Sequence, residues 1–140
     1  MIEVTAIIEA GTLAGNLISC KDVIGKEVSE ISNVNTIVIS FKDENDVPIS
    51  GIEKIVFDIT NVVTGEISRH EITPTQRYSG RFYHYTGNYL QTNFTLSNDR
   101  IVVGRAYAAN TNIIEQVDEV RLISITYGGV ISERITPVLQ

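Results

Sequence analysis

The chain has 140 residues, a net charge of −6 and a mean hydropathy of +0.08. Its 21 Ile, 15 Val and 13 Thr far outweigh 6 Leu and 6 Ala. Branching at Cβ freezes side-chain rotamers in a helix and packs well on a pleated surface, so a helical bundle or a TIM barrel is disfavoured from the outset. The length suits one domain with room for an appended arm.

Taken in chain order, residues 1–34 mix small and aliphatic side chains without clean alternation. Thr5 to Ile18 reads as a hairpin around Gly11 to Gly15 or as an extended arm that orders against a neighbour. From Thr36 the pattern changes to a two-residue period, which places Ile37, Ile39 and Phe41 on one face of a half-buried strand. Asp43-Glu44-Asn45-Asp46-Val47-Pro48 ends it, because Asn and Asp bond their own backbone and Pro48 lacks a ladder donor. Lys54 to Thr60 alternates again, with Ile55, Phe57 and Ile59 inward, and pairs through a turn at Asn61 to Gly65 with a strand from Glu66 to Ile72. Arg81 to Tyr85, Tyr89 to Leu96 and Arg100 to Ala109 read as further strands, separated by turns. Ile113, Ile114, Val117 and Val120 have helical spacing, so one short helix or turn is expected within Asn112 to Val120. Glu119 to Tyr127 and Val130 to Thr136 flank Gly128-Gly129, a pair suited to the positive φ values of a primed hairpin turn. No internal repeat is evident.

These elements predict an all-β fold: a single Ig-like antiparallel β-sandwich of about seven to nine strands over residues 35–140, preceded by an N-terminal hairpin or arm over 1–34. No apolar run approaches the ~18 residues of a membrane span. Glu3 and Glu9 stand where a signal peptide would carry basic residues and an apolar stretch. The chain is therefore expected to stay in the cytosol, to be packaged, or to have lost a leader. Cys20 is alone, which excludes an intrachain disulfide and a cysteine-based metal site and predicts a small buried hydrophobe.

Charge is unevenly placed. Residues 1–66 carry 4 Lys against 11 acids, and residues 67–140 carry 7 Arg against 6 acids. An acidic surface disfavours nucleic acid as a partner. The asymmetry permits head-to-tail association, an acidic patch meeting Arg69, Arg77, Arg81, Arg100, Arg105, Arg121 or Arg134, although solvated surface charge is the commoner meaning of such a pattern.

Catalytic and metal motifs are sparse. His70 and His84 both lie in expected strands, away from any Gly-x-Ser-x-Gly elbow, and lack a His-x-x-x-His partner. Asp43 to Asp46 offers hard oxygens to calcium but lacks the EF-hand order. Ile24-Gly25-Lys26-Glu27 is not a phosphate loop, and Asn93-Phe94-Thr95 matches the glycosylation pattern inside an expected strand. The aromatic group is more informative: Tyr78, Phe82, Tyr83, Tyr85 and Tyr89 fall within twelve residues, interleaved with Arg77, Arg81 and His84. Tyr83, Tyr85, Tyr89 and Arg81 are the candidate interaction residues, for a protein interface or a stacked sugar. Core packing of one aromatic face is the competing expectation.

The stretch from Val34 to Gly51, followed by Ile55 to Thr60 and Thr64-Gly65, resembles bacterial Ig-like domains, whose pattern runs strand, Asp-x-x-Gly-x-Pro turn, strand and Gly turn; Asp46 stands in place of that Gly. It is also similar to β-sandwich domains of tailed-phage baseplate, neck and capsid-decoration proteins, where Ser79-Gly80-Arg81-Phe82-Tyr83 would match a recurrent strand start. The likeness spans roughly residues 34–127. It implies a non-catalytic structural protein of a virion, made in the host cytoplasm, contacting other virion proteins and itself in repeated copies. No cofactor is expected, charge and hydropathy speak against nucleic acid and membrane as partners, and a small-molecule ligand is the less expected partner. The alternative is a carbohydrate- or cell-surface-binding module using the exposed tyrosines.

Overall fold

The computed structural model describes residues 2–8, 18–28, 30–31, 36–84, 87–107, 117–128, 130–133 and 138–139. Among these described residues twelve strands follow in chain order: β1 (Ile2–Ile8), β2 (Ile18–Asp22), β3 (Glu30–Ile31), β4 (Thr36–Asp43), β5 (Ile52–Thr60), β6 (Ile67–Ile72), β7 (Arg77–Tyr83), β8 (Tyr89–Leu96), β9 (Arg100–Tyr107), β10 (Glu119–Tyr127), β11 (Val130–Glu133) and β12 (Val138–Leu139). They form two six-stranded sheets. Sheet A has the order β2-β1-β4-β9-β8-β7, and sheet B the order β3-β12-β10-β5-β6, with β11 also paired to β10. The protein is an all-β sandwich.

Its core follows from alternation. Ile37, Ile39 and Phe41 of β4, Leu90, Phe94 and Leu96 of β8, and Ile101 and Val103 of β9 face inward from sheet A. Ile55, Phe57 and Ile59 of β5 and Val120, Leu122 and Ile125 of β10 meet them from sheet B. Burying side chains of this size stabilises by about 1.5–3 kcal/mol each before entropy is charged against it.

Three details depart from expectation. The strands among the described residues outnumber the expected nine even without the two-residue β3 and β12, and two pairings are parallel, β1 with β4 and β12 with β3. A strand that returns after visiting the other sheet is not held antiparallel by a tight turn, which accounts for β1 and β4. The helical spacing of Val117 and Val120 belongs instead to extended chain: Val117 bridges His84 and β10 begins at Glu119. Residues 112–116 of that expected helix lie outside the described residues, as does the expected turn at Gly11 to Gly15. Of residues 1–34, β1 and β2 pair antiparallel in sheet A while β3 joins sheet B.

A local repeat also emerges. In Lys21-Asp22-Val23-Ile24-Gly25 and Lys42-Asp43-Glu44-Asn45-Asp46 the Asp Oδ1 accepts the amides two and four residues on, Ile24 and Lys26 in one turn and Asn45 and Val47 in the other. Gly25 has φ +85° and Asp46 φ +64°, so the residue standing in for the usual Gly does adopt the left-handed conformation, which Asp tolerates. The acidic loop is thus built as a turn: Asp43 caps its own backbone and Asp46 Oδ1 sits 3.0 Å from Lys42 Nζ.

Chain crosses from sheet B to sheet A through Thr73-Pro74-Thr75-Gln76, where the Gln76 amide donates to the Thr73 carbonyl at 3.0 Å. Thr75 has φ +75° at the corner where Gly or Asn is usual. A β-branched residue is strained there. Thr75→Gly is expected to raise stability by roughly 0.5–1 kcal/mol, relief of strain exceeding the added chain entropy; a melting temperature unchanged or lowered would contradict this.

Cys20 is 1% exposed and its thiol is pushed up to about 12 by desolvation. Thiolate is the reactive form. Folded protein at pH 8 should therefore resist iodoacetamide, with full labelling only in guanidinium; rapid labelling of the native state would show that β2 opens readily.

Candidate functional site

β7 and β6 are edge strands of opposite sheets, and a cleft lies between them. Its volume is about 240 Å³, and Ile59, Ser68, Tyr78, Phe82, Tyr83 and Asp118 are among the residues lining it. Alternation along β7 divides its side chains. Tyr78, Gly80 and Phe82 face inward, and Arg77, Ser79, Arg81 and Tyr83 are exposed.

Tyr78 closes the inner wall. Its ring centroid lies 4.9 Å from that of His70, 5.4 Å from Phe57 and 5.9 Å from Phe94. Burial, and after it the negative charge of Asp118, raise the Tyr78 hydroxyl above its ordinary pKa. The ring lies across Gly80: a Cβ there would meet the hydroxyl at 2.8 Å and a ring carbon at 3.0 Å. Gly80 is therefore a seat for the phenol rather than a turn residue, which explains why β7 begins at Arg77 and not at Arg81. Gly80→Ala should cost about 1–3 kcal/mol through displacement of a packed ring. Gly80→Ala in a Tyr78→Leu background checks this, since the penalty should shrink; an equal penalty in both backgrounds would assign it to the backbone.

Asp118 forms the cleft floor. It is 4% exposed, and its two carboxylate oxygens accept from different parts of the chain, the Val62 amide and the Tyr83 amide, each at 3.0 Å. The Asp118 amide donates in turn to the Tyr83 carbonyl at 3.0 Å. One residue thus ties the β5–β6 turn to the end of β7. Sequence reading missed Asp118, an acid between Val117 and Glu119 with no local signature.

Elsewhere the outer edge of β7 is unpaired among the described residues. The His84 amide donates to the Asn88 carbonyl at 2.7 Å, and the alternation of an antiparallel ladder then directs Tyr78, Gly80 and Phe82 toward β8. The amides and carbonyls of Arg77, Ser79, Arg81 and Tyr83 point to the free edge. Asp118 satisfies those of Tyr83. Those of Ser79 and Arg81 take no partner among the described residues.

On the outer face three of the candidate residues converge. Arg81 Cζ stands 4.6 Å from the centroid of the Tyr89 ring, and the Tyr83 and Tyr89 rings are 5.9 Å apart. Tyr83 is 39% exposed and Tyr89 half-buried. Tyr85 lies outside the described residues. The aromatic group is thereby divided: Phe82 and Tyr78 pack inward, while Tyr83 and Tyr89 face out with Arg81. Beside them the same face holds a depression of about 540 Å³ lined by Thr36, Gln91, Asn93, Gly104 and Ala106.

The other arginines separate by environment. Arg69 pairs with Asp58 at 2.8 Å, and this hydrogen bond holds the Asp58 carboxyl below the usual carboxylate range. Arg100 pairs with Asp99 and Arg121 with Glu119. Arg105, expected as a surface cation, is 5% exposed, because it shares the inward parity of Ile101 and Val103. Arg134 lies outside the described residues. Arg77 and Arg81 enter no ion pair among the described residues.

His70 stacks on Phe57 at 5.4 Å with its Nε2 3.0 Å from the Ser68 hydroxyl, and His84 is buried beside Val117 at the end of β7. Among the described residues no three His, Cys, Asp or Glu side chains are placed to share a metal ion. No helix among them is long and apolar enough to cross a membrane. Comparisons with protein-family models, with curated proteins and with solved structures give no match.

Proposed function

We propose that the protein is a non-catalytic assembly module that acts through protein–protein contacts as a structural component of a virus particle. The observation that carries this reading is the Arg81–Tyr89–Tyr83 patch, an arginine stacked on the half-buried Tyr89 with the exposed Tyr83 beside it, at an edge strand. Tyr and Arg are enriched in interface cores and among the residues that dominate binding energy. The virion context rests on the sequence resemblance over residues 34–127. Tyr83→Ala and Arg81→Ala, introduced singly into particles assembled in cells, are expected to lower incorporation about tenfold while leaving the melting temperature within a few degrees. Incorporation equal to wild type in both would sink the reading.

A second reading is favoured by the depression next to the patch. Its Gln91 and Asn93 amides, floored by Gly104 and flanked by the Tyr83–Tyr89 rings, suit hydroxyl recognition and sugar stacking. Glycan-array binding lost on Tyr83→Ala would favour it, and an array without signal for the wild type would remove it.

A further inference from the structure

We infer that the free edge of β7 receives an extended acidic segment of a partner protein as an added strand, with alternate side chains of that segment entering the cleft between β7 and β6. This rests on the assembly reading and names the contact and the chemistry of the partner.

Three observations converge. The outward amides and carbonyls of Ser79 and Arg81 are unpaired among the described residues, and such a row is a template for strand addition. Asp118 occupies the equivalent groups of Tyr83, both accepting and donating as a strand residue would, so among the described residues the edge is capped at one end and open over Arg77 to Arg81. The cleft lies where the inward side chains of an added strand would project, between Tyr78 and Phe82 on one side and Ser68 and Ile59 on the other.

Charge selects the occupant. On the outer face of sheet B the described cations are all neutralised locally, Lys54 by Glu71, Arg69 by Asp58 and Arg121 by Glu119. The outer face of β7 instead carries Arg77 and Arg81, neither in an ion pair among the described residues, although Glu71 lines the same depression as Arg77 and Glu66 the same cleft as Arg81. A strand laid beside β7 would set its own outward residues next to these guanidiniums, where opposite charges stabilise a cross-strand pair and like charges oppose it. The fitting segment alternates acidic residues outward with small or apolar residues inward.

The test uses the full ¹⁵N-labelled chain and a synthetic ten-residue peptide alternating Asp and Val, with a Lys/Val peptide as charge control and an N-methylated Asp/Val peptide as backbone control. Amide shifts should centre on Arg77 to Arg81. The Asp/Val peptide should bind about fivefold or more tightly than the Lys/Val peptide, the worth of two modest charge pairs. The N-methylated peptide should not bind, and Arg77→Glu with Arg81→Glu should invert the charge preference. Ser79→Pro should abolish binding without unfolding the chain, since the lost amide points to solvent. Shifts elsewhere, equal affinity for both charges, or no shifts at millimolar peptide would overturn the inference. Concentration-dependent protection of the Ser79 and Arg81 amides without peptide would assign the edge to a second copy and overturn the acidic partner. If the peptides fail while Tyr83→Ala still blocks incorporation, the strand addition falls and the assembly reading stands. If the peptides bind as expected while incorporation is unaffected, the assembly reading falls alone.

Discussion

Phe57→Ala is expected to lower the unfolding free energy by about 3–5 kcal/mol, the range for removing a buried aromatic that its surroundings cannot replace. Phe57 is 1% exposed on a strand flanked by β10 and β6, and its ring lies 5.0 Å from Phe94 and 5.4 Å from both His70 and Tyr78. Those partners come from both sheets, so the cavity cannot close without moving strands relative to one another. A domain of this size has about 5–15 kcal/mol in total. A urea titration should show the midpoint fall with little change in slope, and Phe57→Leu should recover more than half of the loss. A cost below 1 kcal/mol would mean that Phe57 is not at the junction of the sheets. The substitution should also loosen Tyr78, which Phe57 meets edge-on, so damage to the core reaches the cleft.

Asp118→Ala is the second large effect. It removes the acceptor for the Val62 and Tyr83 amides, and hydrogen bonds to a charged group contribute about 1.5–3 kcal/mol each. Both bonds are part-buried, so we expect a total near 2–4 kcal/mol. Asn is no substitute. Each carboxylate oxygen faces an N–H donor, and an amide would turn its own NH₂ toward one of them. Asp118→Asn should therefore cost at least half as much as Ala, measured by the same titration. Near-wild-type stability of the Asn variant would show that one of the two bonds contributes nothing.

How much of this was legible depends on whether the deciding contact was local. Ile37, Ile39 and Phe41, and Ile55, Phe57 and Ile59, declare their strands because one face is buried and the period is two. The last hairpin was equally readable where it is described: Tyr127 pairs with Val130 and Gly128 takes φ +52°, while Gly129 and residues 134–136 of the expected second strand lie outside the described residues. The start of β7 was not, since Ser79-Gly80 looks like a turn until Tyr78 is seen lying over Gly80. The duplicated Lys-Asp turn was present in the letters, but Gly25 in one copy and Asp46 in the other hid the shared left-handed conformation. The outward aromatic pair was half-legible: Tyr83 and Tyr89 are brought together by the β7–β8 register, which no single strand encodes. Asp118 lay beyond reach, because its partners are 56 and 35 residues away and its role exists only when three segments meet.

At that meeting point β7 has an edge that is free among the described residues and capped at Tyr83 by Asp118, and native-state amide hydrogen exchange reads this residue by residue. Tyr78, Gly80 and Phe82 should exchange slowly through their bonds to β8, Ser79 and Arg81 quickly, and Tyr83 slowly in the wild type but quickly in Asp118→Ala. Uniformly slow exchange from Tyr78 to Tyr83, or a Tyr83 amide indifferent to the loss of Asp118, would contradict it.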